Sequence, residues 1–103
     1  MATFDWALGQ GKTGDFNIKA NWFNETTGKL GDAVPGATDR INLAGKETLV
    51  ISGAGNTVAA IDVFQPVTGR DPVEIDGKIT VPSQITFQNS FAGLRVNGTI
   101  TLV

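Results

Sequence analysis

The chemistry open to this chain rests on carboxylates, because its 103 residues include no histidine, cysteine or tyrosine. That excludes Ser-His-Asp triads, Cys-His pairs, imidazole or thiolate metal sites and disulfide staples. Two acidic groupings remain. Asp71, Glu74 and Asp76 gather around one corner, and in an extended segment Glu74 and Asp76 share a face. Oxygen ligands of this kind suit Ca²⁺, and a carboxylate pair suits glycoside hydrolysis. Asp32 and Asp39 flank Val34-Pro35-Gly36. Asp39 is placed there to accept bonds from backbone amides and fix the turn, with calcium as the functional alternative.

Repetition argues against catalysis at the first grouping. Val73-Glu74-Ile75-Asp76-Gly77-Lys78-Ile79-Thr80-Val81 recurs 21 positions later as Leu94-Arg95-Val96-Asn97-Gly98-Thr99-Ile100-Thr101-Leu102. Apolar positions stay apolar, polar positions stay polar, and Glu74 becomes Arg95. The pattern needs only a polar residue there, and stacked copies would set Glu74 beside Arg95 as a surface ion pair. No catalytic residue, metal ligand or cofactor is therefore expected. Gly9-Gln10-Gly11-Lys12-Thr13-Gly14 contains the Gly-Lys-Thr of a phosphate loop, but that motif's first glycine would fall on Trp6 and no helix pattern follows. It reads as a loop. Asn24-Glu25-Thr26 and Asn97-Gly98-Thr99 match the glycosylation triplet. With no basic start and long apolar stretch at the N-terminus to mark a secretory signal, both read as coincidence.

The elements that carry these residues are strands. No window sustains apolar spacing at i, i+3, i+4 and i+7, whereas thirteen glycines and many Asn/Asp corners separate short Val/Ile/Thr-rich runs. Residues 1–45 read as irregular, with a strand over Thr3–Ala7 and either a helical turn or a bent strand within Asn17–Asn24. Glycine-rich Gly9–Gly14 and polar Glu25–Ala33 read as loops. Residues 46–103 read as repeats. Strands are expected at Arg40–Leu43, Thr48–Ser52, Thr57–Phe64, Val73–Ile75, Lys78–Val81, Gln84–Gln88, Leu94–Val96 and Thr99–Val103. The whole forms one all-β domain over 1–103: a short β-solenoid-like stack of about 20-residue rungs under an irregular N-terminal cap. A small β-sandwich of hairpins turning at Asp76-Gly77 and Asn97-Gly98 is the alternative. Stacking would align Ile75 with Val96 and Ile79 with Ile100. An imperfect earlier copy begins at Leu49-Val50-Ile51-Ser52-Gly53, with Gly53 as its corner.

The irregular half carries a family resemblance. The ordered series Asp15-Phe16-Asn17, Ala20-Asn21-Trp22, Val34-Pro35-Gly36-Ala37-Thr38-Asp39 and Ile41 resembles the opening of bacterial cell-surface and autotransporter-type parallel β-helix repeat proteins. The likeness runs through Thr48–Val63 into the repeats. It implies a capped β-helix start, with Trp6, Trp22 and Phe23 forming the cover over the first rung. Sugar stacking is the alternative use of these aromatics. The build is also similar to that of a phage virion decoration protein. Members of the bacterial group are long and exported, a departure from this short chain.

Composition narrows the partners. Net charge is −2, and the eight basic residues stand singly, so neither nucleic acid nor a membrane surface is expected. Apolar residues make up 41%, enough for a thin core. The sequence closes on Thr99-Ile100-Thr101-Leu102-Val103 without a polar cap. Ile100, Leu102 and Val103 are thus the first candidates for contacts in a symmetric homo-oligomer, a trimer included. The functional expectation is a non-enzymatic structural protein on the surface of a larger assembly, such as a virion decoration or tail-associated protein. The alternative is the N-terminal module of a bacterial cell-surface adhesin with glycan affinity.

Overall fold

The computed structural model describes residues 1–8, 12–44, 47–64, 72–88 and 92–102, with the side chain of Ala54 excepted. The chain is all-β. Its elements are β1 (Thr3–Trp6), β2 (Thr13–Asp15), one 3-10 turn (Lys19–Asn21), β3 (Trp22–Asn24), β4 (Lys29–Leu30), β5 (Arg40–Ala44), β6 (Thr48–Thr57), β7 (Ala60–Phe64), β8 (Val73–Val81), β9 (Gln84–Phe87) and β10 (Leu94–Leu102). One sheet has six strands in the order β4-β3-β1-β5-β7-β9, and the other has four in the order β10-β8-β6-β2. From β5 onward the chain alternates between the sheets. Each strand from β7 to β10 therefore lies parallel beside the one two elements earlier. Parallel neighbours need a crossover, and here the crossover is a strand of the opposite sheet rather than a helix.

Side chains on alternate positions point between the sheets and meet their own kind from strand to strand. In the larger sheet, Phe4, Ile41, Ile61 and Ile85 form one row, and Leu43, Val63 and Phe87 another. In the smaller sheet, Leu49, Ile75 and Val96 align, as do Ile79 with Ile100 and Val81 with Leu102. Except for Phe87, Val96 and Leu102, these residues belong to, or pack against, a single core cluster. The outward positions make polar rows instead. Asp5, Asn42, Asp62 and Thr86 cross the larger sheet, and Thr48, Glu74 and Arg95 cross the smaller one.

The twin segments take a form different from either expectation at their centre. Each is one unbroken nine-residue strand, and the two pair in parallel over their full length, Leu94 beside Val73 through Leu102 beside Val81. The hairpin alternative fails, because Asp76-Gly77 and Asn97-Gly98 lie in mid-strand and no antiparallel pairing spans them. The chain runs on through both glycines rather than reversing at them. Gly77 has φ +134° and Gly98 has φ +147°, a region that disfavours any residue with a β-carbon. A β-carbon on Gly98 would strike the carbonyl oxygen of Gly77, and one on Gly77 would strike that of Ile51.

The earlier copy is also corrected. Gly77 lies beside Ile51, not Gly53, and the register shifts between Ile51 and Asn56. The expected break at Gly53–Asn56 is thus a bulge inside the long β6, and the chain leaves the strand only after Thr57. The first 45 residues hold more order than their composition suggests. β2 lies partly in the glycine-rich loop and β4 within the polar loop, and both are too short to carry an alternation signal.

Replacing Gly77 by alanine is expected to cost on the order of 2–4 kcal/mol, from backbone strain and the collision with the next strand. Gly28 has φ +71° but open space where a β-carbon would go, so Gly28→Ala should cost only about 1 kcal/mol. Urea unfolding of both variants checks this. Equal losses would contradict the close stacking at Gly77.

Candidate functional site

One end of the core is closed by aromatic rings. Trp22, fully buried, meets Phe4, Trp6 and Phe16 edge-on, at ring-centre distances of 6.4, 4.9 and 5.1 Å. The neighbouring polar groups fix it in place. The Asn21 side-chain amide donates to the Asp15 carbonyl at 2.9 Å, and the Trp22 indole N–H donates to the Phe16 carbonyl at 2.8 Å. The Asn-Trp pair thus holds two consecutive carbonyls where the chain turns back from β2. Phe23, on the opposite face of β3, is partly exposed. Trp6 and Trp22 offer no open face to a sugar, so the sugar-stacking use of the two tryptophans is ruled out by their burial.

Asp39 ties three parts of the chain together. Its carboxylate accepts from the Ala2 N–H at 2.9 Å and the Gly36 N–H at 2.8 Å, and its carbonyl accepts from the Ala59 N–H at 2.8 Å. Asp32 has separate partners, Asn24 and Thr27, so the two aspartates flanking the Pro-Gly turn do not converge. Glu74 lies beside Arg95, with Nη1 and Oε1 3.8 Å apart. Asp76 accepts from the Asn97 side-chain amide at 2.9 Å. Asp71, the third member of that grouping, lies outside the described residues, as do Gly9–Gly11 of the glycine-rich loop. Among the described residues, no three Asp or Glu side chains come together in a way that could hold a metal ion.

A carboxylate cluster that sequence spacing did not point to lies on the outer face of the six-stranded sheet. The Asn42 side-chain amide donates to Asp5 at 2.9 Å and to Glu25 at 2.8 Å, joining residues 37 and 17 positions away. The hydrogen bond between Glu25 and Asp5 pushes the Glu25 carboxyl above its ordinary value. Beside them is a hollow of about 180 Å³ lined by Asp5, Trp6, Asn42, Leu43, Ala44, Glu47 and Phe64. Glu47 is only 4% exposed and accepts the Ala44 N–H at 2.8 Å. Burial pushes its carboxyl up to about 7. These groups are engaged by the chain's own donors: Asn42 holds Asp5 to Glu25, and Glu47 closes the corner between β5 and β6. The cluster's evident work is to join segments of the fold.

The opposite end of the core is open. The inward rows are buried on every strand until the last. Val63 is fully buried while Phe87, its neighbour on β9, is 50% exposed; Val81 is fully buried while Leu102 is 66% exposed; Ile75 is fully buried while Val96 is 37% exposed. Ile85 and Ile100 are half-buried at the same end. Of the residues expected at a subunit contact, Ile100 and Leu102 belong to this surface, and Val103 lies outside the described residues. Phe87 and Val96 belong to it too. Phe87 could be found from sequence only by continuing the Leu43–Val63 row onto the next strand.

Comparison with known proteins gives no relative: no family model, curated protein or solved structure matches this chain.

Glu47 sets a pH dependence. Its proton is held in the folded chain up to about pH 7, against about 4.5 for an ordinary glutamate. Its stabilising contribution is full below the lower value and is lost as pH rises through the upper one. Glu47→Gln should therefore flatten the fall in stability between these values and make the variant the more stable form at pH 8, by on the order of 2 kcal/mol. Thermal unfolding across this range is the check; parallel curves for the two proteins would contradict it.

Proposed function

We propose that this chain is a non-enzymatic building block that self-associates through the open end of its core and sits on the surface of a larger particle. The concrete form is a virion decoration or tail-associated protein. The observation that carries this reading is the abrupt loss of burial on β9 and β10. Rows that are dry on every other strand end in Phe87, Val96 and Leu102, in contact with water. Each large apolar side chain fully covered by a partner gains about 1.5–3 kcal/mol, so a partner that fits this end gains several such contributions together. The rest of the molecule suits a mechanical role. Several of its polar side chains tie distant parts of the chain together, as Asn42 and Asp39 do.

A second reading has its own support. The tightly closed aromatic end and the open far end together suit the first layers of a longer bacterial surface repeat protein, whose later layers would cover β9 and β10. Glycan affinity in that reading would need residues other than the two buried tryptophans.

Light scattering on the 103-residue chain separates the two. Self-association predicts a mass at least twice that of one chain, falling to the monomer value in Leu102→Asp and Phe87→Asp. Both side chains are at least half exposed, so circular dichroism should change little. A monomer of unaltered sequence at all concentrations would overturn the building-block proposal.

A further inference from the structure

The open edge carries information about how a second copy would meet it. Among the described residues β10 has one neighbour, β8, and none of them takes up the backbone donors and acceptors along its other edge. Sheet edges are ordinarily protected by prolines or several charges. β10 has no proline, and its one charge, Arg95, leans back toward Glu74.

The sequence of β10 is symmetric in character about its central residue. Leu94, Val96, Ile100 and Leu102 sit at equal distances on either side of Gly98, and Arg95, Asn97, Thr99 and Thr101 fill the places between. A strand that meets its own copy across a two-fold axis must run antiparallel to it. With the axis at Gly98, Leu94 opposes Leu102 of the second copy, Val96 opposes Ile100, Asn97 opposes Thr99 and Arg95 opposes Thr101. Every apolar residue meets an apolar one, and no charge meets a like charge. The axis passes where neither chain has a side chain.

An axis normal to the smaller sheet also keeps inner face on the side of inner face. The apolar rows then continue from one copy into the next. Ile85 and Phe87, at the same end of the larger sheet, are brought toward their counterparts. A shift of the pairing by one residue would set apolar positions opposite polar ones and forfeit the match.

Building on the self-association reading, we propose that the chain forms a two-fold dimer by antiparallel pairing of β10 with β10 of a second copy, centred on Gly98, so that the four-stranded sheet becomes a continuous eight-stranded one.

Cysteine cross-linking tests the register, and the chain has no cysteine of its own. Directly opposed antiparallel residues lie about 4.5–5.5 Å apart at Cα, within disulfide reach. Asn97→Cys combined with Thr99→Cys should give a covalent dimer on mild oxidation, doubling the mass on a non-reducing gel. Arg95→Cys combined with Thr101→Cys should do the same, and provides a second pair should loss of the Asn97–Asp76 bond disturb folding. Arg95→Cys combined with Thr99→Cys, which this register keeps apart, should stay monomeric on the gel. Cross-linking of that last pair, or of none, in a protein that light scattering finds dimeric would overturn the register while leaving self-association in place. A trimer would overturn the two-fold pairing alone. A monomer would overturn both proposals.

Discussion

The fold depends on backbones that approach one another more closely than side chains permit. At the centre of the smaller sheet, Gly98 lies against the carbonyl of Gly77, and Gly77 against that of Ile51. Only a residue without a β-carbon fits either place, and both adopt backbone angles that glycine tolerates best. Once these positions are set, the register of β8 against β10 has no freedom. Every apolar position then falls on an apolar one and every polar position on a polar one, with Asp76 beside Asn97 and Glu74 beside Arg95. The same side-by-side order continues in the larger sheet, where Phe4, Ile41, Ile61 and Ile85 lie in one row.

A stack of this kind has two ends, and the chain treats them differently. At one end it spends its largest side chains: Trp22, with Phe4, Trp6 and Phe16 around it, fills the space beneath the first strands, and the antiparallel β3 and β4 extend the larger sheet beyond β1. The Trp22 indole satisfies the Phe16 carbonyl, and the Asn21 amide joins the Ile18 N–H on the Asp15 carbonyl, so the turn leaves neither without a partner. At the other end, β9 and β10 carry residues of the same character but bury them less. The difference lies in what covers each row, not in the rows themselves.

Much of this was legible in the residues. The 21-residue repeat implies neighbouring strands in matched register, and the pairs Ile75–Val96 and Ile79–Ile100 stand side by side as stacking requires. Glu74 beside Arg95 follows from the same repeat. The glycines were harder. Asp-Gly and Asn-Gly are strong hairpin signals, yet here the same freedom of φ serves a close approach within a continuous strand, a choice that depends on the neighbouring strand. The bulge in β6 was hidden for a related reason: Gly53 matched the corner by spacing, but packing places Ile51 beside Gly77. The cluster of Asp5, Glu25 and Asn42 joins residues far apart in the chain, and no local pattern relates them.

The sequence by itself determined the chemistry that is absent and the order that is present. A chain without histidine, cysteine or tyrosine has no imidazole, thiol or phenol, and alternating apolar residues repeated at a constant interval favour stacked strands. The tertiary structure alone decided which of those residues are dry. Leu102 and Val81 have equivalent places in the repeat, yet one is 66% exposed and the other fully buried. Glu47 looks like any surface glutamate in sequence, yet it is enclosed at the corner after β5 and holds its proton to about pH 7. In both cases the physical reason is the same: burial is a property of the neighbours, and the neighbours come from distant parts of the chain.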